Sequence, residues 1–515
     1  MAAYYIDQTL PGGTVLPNGG TTSQTIPALN DGDTIGFPKG KRFLDPVIGT
    51  LNAGTLDLNT KTVVAYCYDP ATGLEWTGQF DPYQRYLSGQ GWPSEAEILA
   101  NYAIIDKGVN YDSPGNDTPL NNRSVVKGVG KGSVVRGLCV QGAWYAGIES
   151  TNITNGDYLI DKCIVRKIGT SSITVSGVST WGVGIRHNFA SAGKMRVYRT
   201  FIEGVAEDDI WGAQTLGTQD PEVWRVWARK TVAYGTAHID NIQFQNPNNY
   251  HIWECILDHR IPEGLDSNGN SRVGNDIILA GSGTSTGGVI EDCVVVTNSE
   301  ATNLGTSTGG CMQRCVYVFI SNRSTVAKNG IDDGGIGFVN PGSGHLFQNN
   351  LFIMATGRQT GGNGFMFGET DWLAGTTLRN NTFVGSRNVT KNACFDTRTT
   401  TTGVAQNNLF VDFENAIVNT TNPLATETNN AFVNCTRKRS TSKSGGTDAG
   451  VNVTSFATTA AAAGLGPDYR LISAASSLVG AGTPLLNALD CDRKTWWNPP
   501  TIGAFEAMRD RVARG

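Results

Sequence analysis

Residues 403–413 read GVAQNNLFVDF, and the reading of the whole chain turns on this stretch. Apolar and polar residues alternate up to an Asn-Asn doublet, and an apolar triplet follows. Apolar residues bracket a polar pair and a small residue, so the stretch reads as a strand segment with Asn just inside a turn. The pattern returns at HLFQNNLFIMA (345–355), TTLRNNTFVGS (376–386) and ATETNNAFVNC (425–435). With Cys or Thr in the second doublet position it returns at YLIDKCIVRKIG (158–169), MRVYRTFIEGV (195–205), YHIWECILDHR (250–260), GVIEDCVVVTN (288–298) and GCMQRCVYVFI (310–320). SVVRGLCVQGA (133–143) fits as an earlier copy and VWARKTVAYG (226–235) more loosely.

The small residue after the polar pair serves as a register mark. The marks are Cys139, Cys163, Thr200, Lys230, Cys255, Cys293, Cys315, Asn350, Asn381, Asn408 and Asn430, never fewer than 22 residues apart and often more. A coil of fixed length with insertions on one face gives that spacing. A second motif follows the marks, at AGIES (146–150), VGIRH (183–187), DDIWG (208–212), DNIQF (240–244), NDIIL (275–279), GGIGF (334–338) and NGFMF (363–367). Two short strands per repeat with turns between them describe an all-β parallel β-helix solenoid. Like residues then stack about 4.8 Å apart. Asn can hydrogen-bond along such a column, and Cys fills it as a small hydrophobe. Cys139, Cys163, Cys255, Cys293 and Cys315 are therefore expected as free ladder thiols rather than redox or metal residues.

Composition agrees. The chain has 515 residues, 64 Gly and only 17% charged residues, too long for one globule but suited to a solenoid. A net charge of −5 argues against nucleic acid, and the basic run TRKRSTSKSGG (436–446) reads as a solvated loop. No run of eighteen apolar residues exists, so no membrane insertion is expected. The opening MAAYYIDQTLPGG lacks a basic, then apolar, leader pattern, so no secretion signal is expected. The ten Cys include no CxxC pair, which makes zinc spacing poor. DSNGNSRVGND (266–276) has Ser271 and Ile277 where a calcium loop needs Gly and Glu, so it reads as a polar turn. N-x-[ST] triplets such as those at Asn152 and Asn388 are chance matches in an Asn/Thr-rich chain.

With YYIDQTLPGGT…LNDGDTIGFPKG (4–40), KTVVAYCYDP (61–70) and the ending DYRLISAASSLVGAGTP…LDCDRKTWWNPPTIGAFE (468–506), the chain resembles right-handed parallel β-helix proteins of the pectate-lyase-like superfamily. The resemblance covers most of the sequence. It implies a right-handed solenoid with an irregular N-terminal insertion and a C-terminal cap. Residues 1–123 read as first coils with an aromatic-rich insertion, 124–435 as the β-helix core, and 436–515 as a loop and capping segment. Within the insertion, SEAEILANYA (94–103) predicts a short helix with Ser94 as N-cap and Glu97 closing a capping box. FEAMRDRVAR (505–514) predicts a terminal helix.

Aligning the second motif on Ile148, Ile185, Ile210, Ile242, Ile277, Ile336 and Phe365 points those residues inward and their neighbours outward. The column before then reads Gly147, Gly184, Asp209, Asn241, Asp276, Gly335, Gly364. The column after reads Glu149, Arg186, Trp211, Gln243, Ile278, Gly337, Met366. Acids and an indole thus gather locally, with Asp208, His238 and Asp240 at the turn and Arg225, Lys230 and Tyr234 nearby. A carboxyl pair beside Trp suits a polysaccharide, because two carboxyls can act as acid and base across a glycosidic bond. Asp209 and Asp276, two coils apart, fall at about 9.6 Å, the edge of the inverting range. Asp208 and Asp240, one coil apart, fall near the retaining distance of about 5 Å. A lyase would instead draw on Arg186, His187, Lys230, Tyr234 and His238 to neutralise a uronate and remove its α-proton. Of Trp211, Trp224, Trp227 and Trp253, only Trp211 is expected to face a ligand.

A β-helix without a leader but with many free thiols fits a protein that folds in a reducing cytoplasm and acts outside. Tailspikes of phages resemble this. That resemblance implies a depolymerase, hydrolase or lyase, of bacterial capsular or exopolysaccharide, carried on a virion beside other virion proteins, with a homotrimer expected. No cofactor is expected, though calcium would serve a lyase. The rival readings are a non-catalytic fibre or decoration protein that binds surface glycans, and a secreted polysaccharide lyase.

Overall fold

The computed structural model describes residues 3–6, 14–16, 29–44, 56–58, 61–106, 124–143, 145–151, 157–169, 173–175, 178–180, 182–189, 194–214, 220–231, 239–259, 274–279, 285–297, 300–304, 307–319, 336–338, 344–354, 366–368, 375–385, 393–397, 403–413, 415–419, 426–440 and 454–457. The terminal helix at 505–514, nearly all of the capping segment, most of the 266–276 turn, Asn152 and Asn388 lie outside them. Two compact units make up the chain, Met1–Gly274 and Asn275–Gly515.

Each coil turns its first corner through one left-handed residue. In the first unit these are Gly137, Lys162, Arg199, Arg225 and Glu254, with φ of 69°, 53°, 45°, 52° and 52°. Side chains other than Gly and Asn resist that conformation, so packing on both sides must impose it. The corner lets a strand of the first sheet pass at once into the second, and a further corner leads to the third. Strands of successive coils pair in parallel, giving a right-handed β-helix with three sheets. Where the first and second sheets face it, the interior of the first unit is apolar. Val135, Ile160, Val197, Val223 and Ile252 of the first sheet, and Val165, Ile202 and Leu257 of the second, are fully buried.

The insertion has a packing role. Helix α1 (Pro82–Leu87) is capped by Asp81, and α2 (Glu95–Asn101) carries the expected Ser94–Glu97 capping box. The helix stops at Asn101, and Ala103–Asp106 is already a strand of the second sheet. Phe80, Tyr83, Tyr86 and Trp92 cover the outward apolar column Ile104, Cys139, Ile164, Phe201, Trp227 and Ile256. Arg166, almost fully buried, pairs with Glu95 at 2.6 Å and ties α2 down.

In the second unit the Asn column forms as expected. Asn381 Oδ1 accepts from Asn350 N at 3.1 Å and from Asn350 Nδ2 at 3.0 Å. Asn381 Nδ2 donates to Phe347 O and to Asn408 Oδ1, both at 3.0 Å. Beside it Tyr317, Phe352, Phe383, Phe410 and Phe432 stack with centroids 5.0, 4.9, 5.3 and 4.9 Å apart. The cysteines described are free thiols, and the Sγ of Cys163, Cys255, Cys293 and Cys315 donate to backbone carbonyls.

Three register marks are corrected. Cys139 pairs with Ile164, one residue past the corner, so it faces the insertion rather than the ladder. Trp227 pairs with Phe201, which puts Val226 at the corner and Lys230 at the far end of its strand. Met366, not Phe365, pairs with Ile336. Thr302 also belongs to that column, opposite Ile277.

Replacing Asn381 by Ala strips hydrogen bonds from both neighbours and leaves buried amides unsatisfied. Urea unfolding should show a loss of about 3 kcal/mol, against about 0.5 kcal/mol or less for Thr377→Ala on the outward face.

Candidate active site

In the first unit the corner between the second and third sheets gathers charge. Residues 206–209 join the strands Phe201–Val205 and Ile210–Gln214, and residue 230 follows Trp227–Arg229. Asp209 N donates to Asp240 O at 3.0 Å and Ile210 N to Asn241 O at 2.9 Å, so the two acidic corners stack. Ile148, Ile185, Ile210 and Ile242 are register partners, as the sequence predicts.

The orientation of the preceding column is the main correction. Asp209, Asp240 and Asn241 are fully buried, as is Asp276 within the second unit, and Asp208 is only 4% exposed. The strands begin at Ile210 and Ile242, so the residue before each belongs to the corner, where strand alternation no longer holds. A Cβ on Gly184 would meet Ile202 of the core at 3.1 Å and Asp209 O at 2.5 Å, which shows that this column faces in. The outward wall proposed for Asp209, Asn241 and Asp276 does not form.

What forms instead is a buried polar cluster. Lys230 Nζ lies 3.1 Å from Asp209 Oδ1, with both side chains fully buried. Asn241 Nδ2 donates to Asp209 Oδ2 at 2.6 Å, and Asp240 N donates to Asp208 Oδ1 at 3.1 Å. Lys230 Nζ also donates to the Glu207 carbonyl. Burial pushes Asp209 up to about 6 against the pull of Lys230 and Asn241. Burial and the Asp240 charge raise Asp208 well above the usual carboxylate range. Glu207 rises to about 7, burial outweighing the attraction of Lys230 and Arg186. His259 is pushed down to about 3 by burial and by Lys230, so it is neutral.

The column after the isoleucines does face out. Glu149, Arg186, Trp211 and Gln243 are successive register partners on the third sheet. Arg186 and Gln243 are half-exposed, whereas Trp211 is 8% and Glu149 7% exposed. The Arg186 guanidinium lies between two rings, 4.3 Å from the Tyr145 centroid and 4.7 Å from that of Trp211. Its Nε has no hydrogen-bond partner among the described residues. Glu149 is held by Ser124 Oγ at 2.6 Å.

The structure thus joins Asp208, Asp209, Asp240, Asn241 and Lys230 in one cluster, and Arg186, Trp211, Gln243 and Glu149 on the adjoining ledge. Arg225 is not among them. It sits at the first corner, bound to Glu254 at 2.6 Å and Asp81 at 2.8 Å. Tyr234 and His238 lie outside the described residues. Glu207 and His259 were missed by sequence reasoning. For Glu207 the signal was present in the run Glu207-Asp208-Asp209, whose density of acid exceeds what a solvated turn needs. Trp211 is mostly covered and Trp227 lies under the insertion, whereas Trp224 and Trp253 are the half-exposed indoles, the reverse of expectation. No three His, Cys, Asp or Glu side chains among the described residues are arranged to hold a metal.

Neither a protein-family model nor a curated protein matches the chain. Among solved structures it is similar to the pectate lyase Pel9A, at 13% identity and a TM-score of 0.32, over 93% of this chain and 89% of that one. It is also similar to the GH136 lacto-N-biosidase from Eubacterium ramulus, at 11% identity and a TM-score of 0.33, over 74% of this chain and 64% of that one. What the chain does must be read from its own residues.

Lys230→Met leaves Asp209 charged and unpaired inside the coil. Denaturant unfolding at neutral pH should show a loss of about 3–5 kcal/mol, of which Asp209→Asn in the same chain restores roughly half. Without the pull of Lys230 the variant's Asp209 titrates above its wild-type value of about 6, so the penalty should be largest at alkaline pH, shrink as protonation removes the orphaned charge, and be smallest below about 6.

Proposed function

We propose that the chain is a depolymerase that hydrolyses a bacterial capsular or exopolysaccharide. The observation that carries this reading is Glu207, a carboxyl held near 7 by burial and placed within the electrostatic reach of Arg186. Glycoside hydrolysis needs one carboxyl that keeps its proton at working pH to protonate the leaving oxygen, and a second that is ionised. Glu207, 4% exposed, fits the first role by its protonation. Asp209, near 6 and held by Lys230 and Asn241, is the best ionised partner and fixes the local field. Arg186, half-exposed between Tyr145 and Trp211, offers the outer edge of its guanidinium to sugar hydroxyls or to a uronate carboxylate.

The setting we propose is a phage virion, beside other virion proteins and as a homotrimer. Support comes from the eight free cysteines among the described residues, which suit folding in a reducing cytoplasm. Light scattering of the purified chain tests the trimer. One observation favours a second reading, a glycan-binding fibre or decoration protein without hydrolysis. Asp209, Asp240 and Asn241 are fully buried, as structural polar groups are.

Incubation with a panel of bacterial surface polysaccharides, followed by reducing-end assay, decides between them. Hydrolysis predicts new reducing ends without ultraviolet absorbance from an unsaturated uronate; that absorbance would signal a lyase, and no cleavage the binder. Glu207→Gln should lower kcat by about a hundredfold or more while retaining the fold. The alkaline limb of the wild-type rate profile should fall with a midpoint of about 7, because the acid form is lost above it.

A further inference from the structure

The first unit carries a second surface that the cleavage reading does not use. On the outward face of the first sheet, Arg136, Asp161, Tyr198, Trp224 and Trp253 are register partners on successive strands. Trp224 and Trp253 stack at 6.0 Å with 19° between their planes. Tyr198 meets Trp224 edge-on at 5.5 Å, and His251 lies flat against Trp253 at 3.9 Å. All four rings are half-exposed. They serve no core, since the inward column behind them, Val197, Val223 and Ile252, is already filled and fully buried. In the second unit the corresponding outward positions are Gln313, Gln348, Arg379, Gln406 and Thr428, an ordinary solvated surface. The aromatic strip is therefore local, and half-exposed rings lined up on one sheet face offer a surface that a ligand can cover.

The charges around the strip say which ligand. Each Arg is already neutralised in place. Arg136 pairs with Glu75 at 3.1 Å, Arg196 with Asp157 at 2.9 Å, Arg199 with Asp161 at 2.7 Å, and Arg225 with Glu254 at 2.6 Å. Trp224 Nε1 donates to Glu254 at 3.0 Å, and the Tyr198 hydroxyl donates to Glu222. Such paired forks present both donors and acceptors at fixed positions, and among the described residues at the strip only Lys162, whose Nζ donates to the Thr77 carbonyl at 3.4 Å, lacks a carboxylate partner. A row of rings 5.5 and 6.0 Å apart from coil to coil suits a repeating chain with C–H faces better than an irregular protein partner.

We propose that this strip binds a neutral polysaccharide segment. Pyranose C–H groups pack on the surfaces of Tyr198, Trp224, Trp253 and His251 that their mutual stacking and the Arg199 and Arg225 guanidiniums leave open, and hydroxyls bond to the Arg–carboxylate pairs along the strip's edges. The site is separate from the Glu207 cluster and does not depend on its chemistry.

The test uses the full chain with neutral glucan, galactan and mannan polymers and with polygalacturonate, read by calorimetry and by tryptophan fluorescence. At least one neutral polymer should bind, with affinity unchanged within about twofold between about 50 and 500 mM salt. Trp224→Ala and Trp253→Ala should each weaken binding by about tenfold, and Trp224→Phe by much less. Circular dichroism confirms that each variant folds, and His251→Ala serves as the milder second variant. Glu207→Gln should bind as the wild type does. Three results would each overturn the proposal: no binding by any neutral polymer, salt-sensitive binding of polygalacturonate alone, or unchanged binding in both tryptophan variants. Self-association that is lost in Trp224→Ala, without glycan binding, would also overturn it in favour of a protein interface. Binding here, with no cleavage of any bacterial surface polysaccharide in the reducing-end assay, would sink the hydrolase reading and leave this one standing.

Discussion

Everything in this protein depends on one constraint at the corners: each coil must return the chain in register onto the coil before it. Parallel strands have no hairpin to set that register. Here it is set by a left-handed residue at the first corner and by the residue beside it that bonds or packs along the column. In four coils of the second unit both positions are Asn, at 349–350, 380–381, 407–408 and 429–430, and the amides bond from coil to coil, whereas Asp292–Cys293 and Arg314–Cys315 form the two corners before them. In the first unit the left-handed positions are Lys162, Arg199, Arg225 and Glu254, whose strain is offset by packing and by ion pairs across the corner.

That difference explains which parts of the structure were legible in the sequence. The Asn-Asn doublets announce both the turn and the ladder, so the alignment held wherever they occur. Arg225-Val226 announces neither, and the register mark slid to Lys230. Strand periodicity gave the sheets and placed Glu149, Arg186, Trp211 and Gln243 on one outward column. It could not give the direction of Asp209 and Asn241, because they stand one residue before their strands begin, where the backbone is curling. Burial inverted their expected role. Residues read as a groove wall are the interior partners of Lys230.

The inversion has a chemical consequence. A carboxylate exposed on a wall would titrate in the ordinary range and offer no acid at neutral pH. Enclosed with one lysine among several acids, the cluster cannot hold all its negative charge, and the excess is relieved by protons. Asp208 and Glu207 rise chiefly because burial strips the hydration that keeps a carboxylate charged, and the Asp240 charge adds to it. Glu207 is the member whose field reaches the ledge of Arg186, which in turn contacts Tyr145 and Trp211. The same coil stacking lines up Tyr198, Trp224 and Trp253 on another sheet. One winding rule thus supplies both a proton-holding corner and an aromatic strip.

The state of the Glu207 proton tests this chain of causes most directly. Infrared difference spectra of glutamate carrying a carbon-13 carboxyl label, wild type minus Glu207→Gln, follow that single group across pH. A protonated-carboxyl band that disappears with a midpoint of about 7 is expected from its burial. A midpoint at the ordinary glutamate value of 4.5 would mean that the corner is open to water, and that the acid assigned to cleavage does not exist.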